Sequence, residues 1–433
     1  MDATGVSAPV HRPYDPAEDL LAWLAEGFER HGDVFGGTAF GQSILATNDP
    51  DHAQHVLRRN WRNYRKGFAI KRIALLLGRG LMVSEGELWK TQRKLVQPTL
   101  HGHALAEIAR QLEAANRGLV GRWERAADRR QRVSVTHDLS GMVLEGVIAA
   151  IFGPDADEAF DRFSILSNEA ARDLEFAHAF QPLRDLVSRV VARRRTRDVA
   201  SRDAPRDILG MLMAARDGEG RPAMSDAQLV SEIITLVVAG HETTAITLGW
   251  VWRLLSQHPE AEERLHRALD GRGSAPAAGA GDDVVGQVIE ETLRLYPPGW
   301  LMTRRAIADD RLGELAIGRG TEVYISPYFI QRSPALWRRP DGFDPERFAP
   351  ARAQERQALA MLPFSAGPRN CIGEAFARMQ MRIHLAAVAR RLRLAAPEGP
   401  PPGLIAGVNL RPAHDFVTTP LRRASVAPAR RRA

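Results

Sequence analysis

The stretch from Ser225 to His258 constrains the fold more than any other. It opens on "SDAQ", where Ser225 and Gln228 have capping-box spacing, keeps helical periodicity without a proline, and ends where Pro259 stops it. The spacing predicts a helix of about nine turns at ~3.6 residues each. Its middle, "IITLVVAGHETTAITLGWVW", is apolar enough to cross a membrane. Yet His241 and Glu242 sit at its centre, and a carboxylate there costs roughly 2.5 to 3.5 kcal/mol even on lenient scales. A buried central helix wrapped by other elements is therefore expected.

Such a helix has to account for Gly240, Glu242, Thr243 and Thr244 at its midpoint. A mid-helix glycine costs about 1 kcal/mol against alanine, and buried polar groups without partners cost more. Either another helix packs closely there with Glu242 tied to an arginine, or the cluster carries chemistry.

A second stretch bears on that choice. "FSAGPRNCIG", Phe364 to Gly373, holds the only cysteine among 433 residues. One cysteine excludes an intrachain disulfide and any multi-cysteine zinc or iron–sulfur site, and it fits a reducing compartment such as the cytoplasm. The thiol could be a nucleophile, but neither a paired histidine nor a nucleophile elbow is evident nearby. It could equally be an inert buried thiol. Against both, Gly367 and Gly373 permit unusual backbone, and Pro368 stiffens the loop between them. A rigid loop holding a sulfur at the start of the helix "CIGEAFARMQMRIHLAAVA" would turn backbone N–H groups and a positive helix end towards it. Such a site favours a thiolate that ligates a metal through one protein ligand, the rest of the coordination coming from a macrocycle, which argues for haem.

The rest of the chain fits one large soluble body. A hydrophobic content of 44% is ordinary for a globular protein. "DVFGGTAFGQSILATN" (33 to 48) reads as a hairpin, and "LGELAIGRGTEVYISPY" supplies further short strands, so β-rich regions are expected at about 30–60 and 300–330 on a mainly helical body. Segments 272–283 and 396–407 read as surface loops. Gly279 and Gly281 fail the G-x-G-x-x-G spacing of a phosphate loop. The net charge of +7 could suit nucleic acid, but part of it lies in a basic tail (421–433), and no zinc-finger or RNA-binding motif accompanies it. The N-terminal segment "MDATGVSAPVHRPYDPAEDL" has no apolar run of the signal or anchor kind, so neither nucleic-acid binding nor a membrane span is expected.

The cysteine stretch matches F-x-x-G-x-R-x-C-x-G at every fixed position and so resembles the haem-binding signature of the cytochrome P450 monooxygenases. "AGHETT" on the long helix is similar to that family's oxygen-activation motif. "WKTQR" (89 to 93), "ETLR" (291 to 294) and "PERF" (345 to 348) also resemble it, in the family's order. The resemblance implies a mainly α fold with a small β-sheet region, a single domain over 1–433, haem b as cofactor, and O2 and a small organic molecule as substrates. It implies Cys371 as the axial thiolate, whose electron donation favours O–O cleavage, with Phe364, Gly367 and Gly373 shaping the loop around the sulfur. Trp89, Arg93, Arg304 and Arg369 resemble the positions that hold the haem carboxylates, with Arg305 the alternative to Arg304 in a register shifted by one. Ala239 and Gly240 would leave room for oxygen, and Glu242 and Thr243 resemble the acid–alcohol pair that organises protons. Glu291, Arg294 and Arg347 would form a buried triad that supports the haem loop.

No flavin or nicotinamide motif is evident, so electrons are expected from a ferredoxin- or flavodoxin-type donor and its reductase, drawn to the basic Lys90, Arg93 and Lys94; a solvated helix face is the alternative reading of these charges. Desaturation or oxidative coupling is the alternative to hydroxylation, and secondary metabolism is the expected setting. Between "AAIFGPD" and "RRRTRD" the chain has only about forty residues where the family carries two lid helices. A reduced lid is expected, leaving a pocket open to a bulky or carrier-protein-tethered substrate; two full-length helices between 160 and 195 would contradict it.

Overall fold

The computed structural model describes residues 11–15, 18–68, 70, 77–164, 175–198, 207–270, 283–397, 399 and 402–423. The expected central helix runs Asp226–Gln257 (α7) and begins with the capping box: Gln228 N–H donates to Ser225 Oγ, and Ser225 N–H to Gln228 Oε1 at 2.9 Å. Around it pack α3 (His103–Asp128), α4 (Val135–Phe152), α6 (Glu175–Asp198), α8 (Val284–Leu295) and α9 (Glu374–Ala389). Both α7 and the run Val135–Phe163 are long and apolar enough to cross a membrane, yet 67% of each such stretch is buried inside the protein.

A helix buried on nearly all sides must satisfy its own polar side chains, and α7 does so largely along its axis. Ser231, Thr235, Thr243 and Thr247 each donate a hydroxyl to the carbonyl four residues earlier. Deeper in the core, Trp252 Nε1 donates to His384 Nε2 at 2.8 Å and His384 Nδ1 meets Asn116 Oδ1 at 2.8 Å. This chain ties α7, α9 and α3 together through a histidine whose pKa burial pushes down to about 3, so the ring is neutral and can accept from the tryptophan.

The β region forms one six-stranded sheet from both ends of the chain. Its strands are β1 (His11–Pro13), β2 (Val34–Ala39), β3 (Gln42–Thr47), β4 (Tyr64–Lys66), β5 (Met302–Ala306) and β6 (Glu322–Ile325), in the order β1-β2-β3-β6-β5-β4. The β2–β3 hairpin turns at Phe40–Gly41, both with positive φ, as the right-handed twist of a two-residue hairpin requires. A second apolar cluster under this sheet joins Leu45, Tyr64, Val323 and Ile325 to Leu362 and Ala366. The sheet thereby packs directly on the segment leading to Cys371.

Three expectations change in detail. The 396–407 loop ends in a strand, β7 (Leu404–Ala406), paired antiparallel with β8 (Leu410–Pro412). The tail begins as a strand, Pro420–Arg422, paired with Leu392–Leu394; residues 424–433 and the 272–282 loop lie outside the described residues. The helix after the cysteine starts at Glu374, with Gly373 as its N-cap, because the Cys371 turn must first close.

In the lid region the described residues hold an eight-residue helix α5 (Ala156–Phe163) and the 24-residue α6. Residues 165–174, between them, lie outside the described residues. Arg194 of α6 ties the lid to the body, pairing with Asp155 and Asp207 at 2.7 Å each.

Candidate active site

The Cys371 loop is fixed from three directions. Cys371 N–H donates to Phe364 O at 2.8 Å and Asn370 N–H to Gly367 O at 3.0 Å, which closes the ten-residue stretch on itself. Gly367 has φ +74°, and a Cβ there would lie 1.9 Å from Leu57 O, so only glycine lets the loop seat on that carbonyl. Phe364 packs against the main core, with Arg378 4.7 Å over its ring. From α2 (Gly86–Val96), Arg93 donates to Asn370 O at 2.8 Å and to Asn370 Oδ1 at 2.6 Å.

The Cys371 sulfur is accessible to solvent, yet surrounding protein atoms push its thiol pKa up. The Gly373 N–H and the Arg93 guanidinium work against that burial by favouring the thiolate, while Glu374 adds to it. A partner that stabilises the anion, as a metal ion does, suits this donor.

Nearby, the fold gathers cations. β4 pairs antiparallel with β5 so that Lys66 and Arg304 are directly opposite, a like-charge pair that is unfavourable without an anion between its members. Arg369, two residues before the cysteine, joins them: it donates to Tyr64 O at 2.6 Å, pairs with Glu85 at 2.5 Å, and lies 5.4 Å over the rings of both Trp61 and Trp89. Its Nε is buried without a partner. Burial and mutual repulsion bring Lys66 down to about 8 and Arg304 to about 10, although Glu85 opposes this. Three cations meet Glu85 and, against Lys66, Glu232, whose carboxyl burial raises to about 7, so the cluster stays net positive and suits a group bearing carboxylates.

The alternation of β5 separates Arg304, opposite Lys66, from Arg305. The Arg305 guanidinium lies on the other side, 3.6 Å from where a Gly320 Cβ would be. Arg93 donates to Asn370 from both of its terminal nitrogens, because α2 sets it against the cysteine loop. Lys66 and Glu85 were not anticipated, since nothing in "YRKG" or "SEGE" marks them until the sheet folds.

On α7, Val238 and Glu242 are partly exposed, and so is a stripe of Leu236, Ala239, Gly240 and Thr243. These are i, i+3, i+4 and i+7, one face of the helix. A Cβ at Gly240 would lie 3.4 Å from Val147, so the glycine keeps this face shallow. Thr243 donates to Ala239 O at 3.0 Å and keeps its oxygen lone pairs for a further donor. Glu242 Oε2 accepts from Asn409 at 2.8 Å.

Behind the loop lies the triad. Arg294 pairs with both oxygens of Glu291 at 2.7 and 2.8 Å, and Arg347 reaches Glu291 at 3.2 Å, all three buried. The remaining donors go to carbonyls, Gln331 O and Pro340 O from Arg294, Arg338 O and Arg339 O from Arg347. Gln331, which carries no sequence signal, extends the network by accepting from Leu362 N–H at 2.7 Å, two residues before Phe364. Removing one member of such a network costs about 3–5 kcal/mol.

An exposed cysteine on a locked loop, a net-positive cluster and a helix face with one hydroxyl suit a haem-thiolate type of site. Comparison with known proteins agrees. The family profile described as Cytochrome P450 matches residues 16–164 and 155–417. The chain is 32% identical over 432 residues to "Cyclooctatin synthase" of Streptomyces melanosporofaciens, covering 94% of this chain and 91% of that one. It is 30% identical to "Cyclooctat-9-en-7-ol 5-monooxygenase" of the same organism, covering 84% and 83%. The solved "cytochrome P450DA heme domain" superposes with a TM-score of 0.82 over 96% of this chain and 97% of that one, at 23% identity. The chain belongs to the cytochrome P450 family. It is a haem-b monooxygenase of organic small molecules.

Proposed function

We propose that Cys371 supplies the axial thiolate, that Lys66, Arg304 and Arg369 hold the two haem carboxylates with Trp89 beneath Arg369, and that Glu242 and Thr243 handle protons on the opposite face. Haem held this way supplies activation of dioxygen for insertion of one oxygen atom. The residues do the rest. The Gly373 N–H and Arg93 favour the thiolate, the Leu236–Ala239–Gly240 face excludes water and receives apolar substrate, and the Thr243 oxygen can accept a proton donor's hydrogen bond. The observation that carries this reading is the single cysteine, exposed on a loop locked by the Phe364–Cys371 and Gly367–Asn370 hydrogen bonds.

The substrate we propose is an isoprenoid hydrocarbon or alcohol of secondary metabolism. The helix face that would meet it is apolar, and relatives are named for cyclooctatin and carotene chemistry. The short lid would also admit a carrier-tethered substrate. Electrons come from a ferredoxin-type donor: Lys94 is exposed on α2, Lys90 pairs only at the surface with Glu87, and Arg93 ties that helix to the cysteine loop. One cysteine suits the reducing cytoplasm.

The test is turnover of haem-loaded protein with a surrogate ferredoxin and reductase under 18O2, offered isoprenoids and fatty acids side by side. Isoprenoid products carrying one 18O atom are expected. Turnover of fatty acids alone would overturn the substrate class, and products two hydrogens lighter without 18O would mean desaturation.

A further inference from the structure

α7 presents two neighbouring faces to open space. The first is the Leu236–Ala239–Gly240–Thr243 stripe described above. The second runs Glu242, Ala245, Ile246, Gly249 and Arg253, again at helical spacing, and lines a separate cavity of about 30 Å3. A water needs roughly 10–15 Å3 measured in this way, so the cavity admits about two and excludes any substrate. Its lining is mostly apolar, but it includes the Thr136 and Ser140 hydroxyls of α4, Glu242, Arg253, Arg411 and the exposed His414. Glu242 and Thr243 are consecutive, so the carboxyl stands at the border between the two spaces.

A hydrogen bond from the hairpin reaches that carboxyl. Asn409 Nδ2 donates to Glu242 Oε2 at 2.8 Å from the tip of the β7–β8 hairpin. The tip is pinned: Gly407 N–H donates to Asn409 O at 3.2 Å, Trp300 Nε1 to Gly407 O at 3.0 Å, and Leu410 N–H to Pro298 O at 2.9 Å. Its amide is therefore delivered from a rigid backbone rather than from a free loop.

We infer that the narrow cavity is the route by which protons from solvent reach Glu242, and that Asn409 is a positioning residue holding the carboxyl between that route and Thr243. This rests on the proposed role of Glu242. For each of the two protons that one turnover consumes, Glu242 passes a proton towards the Thr243 hydroxyl and takes one back from solvent through this cavity, so its own charge is restored. Asn409 exchanges no proton. It sets the direction in which the carboxyl can give and receive, and proton transfer through a misdirected acid is slow.

Two readouts test this on the haem-loaded protein. With selective 15N-asparagine labelling, the Asn409 side-chain NH2 resonances should move in Glu242→Gln, independently of turnover. With electrons from a surrogate ferredoxin and reductase, oxygen consumption in H2O and D2O should be roughly tenfold slower in Asn409→Ala and in the isosteric Asn409→Asp, about 1.4 kcal/mol, with an enlarged solvent isotope effect. Asn409→Asp keeps the shape of the hairpin tip but brings a second carboxylate in place of the donor. Wild-type rates and isotope effects in both Asn409 variants beside a slowed Glu242→Gln would overturn this inference and leave the role of Glu242 standing. A wild-type rate and isotope effect in Glu242→Gln would overturn that role and the inference with it.

Discussion

Gly367 carries the tightest steric demand on the cysteine loop, since its φ of +74° and its contact with Leu57 O both exclude a side chain. Left-handed backbone alone costs an alanine roughly 1–2 kcal/mol, and the overlap adds to it. Gly367→Ala should leave the far-ultraviolet circular dichroism unchanged while lowering haem bound per chain well below one; full haem occupancy would contradict the tight seat described here. This loop was legible in sequence because its partners are local: Phe364, Gly367, Arg369, Cys371 and Gly373 span ten residues. Lys66 and Asn409 were not, because each acquires its partner only when a strand or hairpin tip is brought across the fold, Lys66 to Arg304 and Asn409 to Glu242. Arg93 was legible as a cation beside the site, but its bonds to Asn370 depended on how α2 meets the loop.

At the scale of elements, the segment Gly78–Ser84 lies flush on α7. A Cβ at Gly80 would come 2.1 Å from Thr235 Oγ1, Leu81 N–H donates to Glu232 Oε2 at 3.0 Å, and Lys66 Nζ donates to Leu81 O and Ser84 O at 2.8 Å each. Glu232 is fully buried with Oε1 unpartnered, and burial raises its pKa to about 7, the Leu81 N–H and Lys66 only partly opposing this. Between pH 4.5 and 7 the folded chain thus holds a proton that the unfolded chain releases, so this group's contribution to stability falls as pH rises through that window. Glu232→Gln should unfold in urea like the wild type at pH 4.5 and be more stable at pH 8, by on the order of 2–3 kcal/mol; an unchanged difference across pH would contradict the buried carboxyl. The long helices were legible from period and caps, as α7 shows at both ends. The docking of Gly78–Ser84 was not, because glycines and short polar residues gain their meaning from the surface they meet.

At the scale of the molecule, the helical body and the sheet contribute to opposite sides of one cleft. α7 supplies the oxygen-facing stripe, β4 and β5 supply cations, and the cysteine loop sits between the core under α9 and the cluster under the sheet. The mainly α class with a small sheet followed from the sequence because helical periodicity and turn residues separate the two regions. The pairing of strands from residues 11–66 with strands from 302–325 did not, since short strands carry no register information of their own. The central claim is that one loop sulfur joins these halves to haem. Purified wild type reduced with dithionite under carbon monoxide should show a strongly red-shifted Soret band that is lost in Cys371→Ser; a folded wild type without that band, or a Cys371→Ser variant that keeps it, would contradict the account.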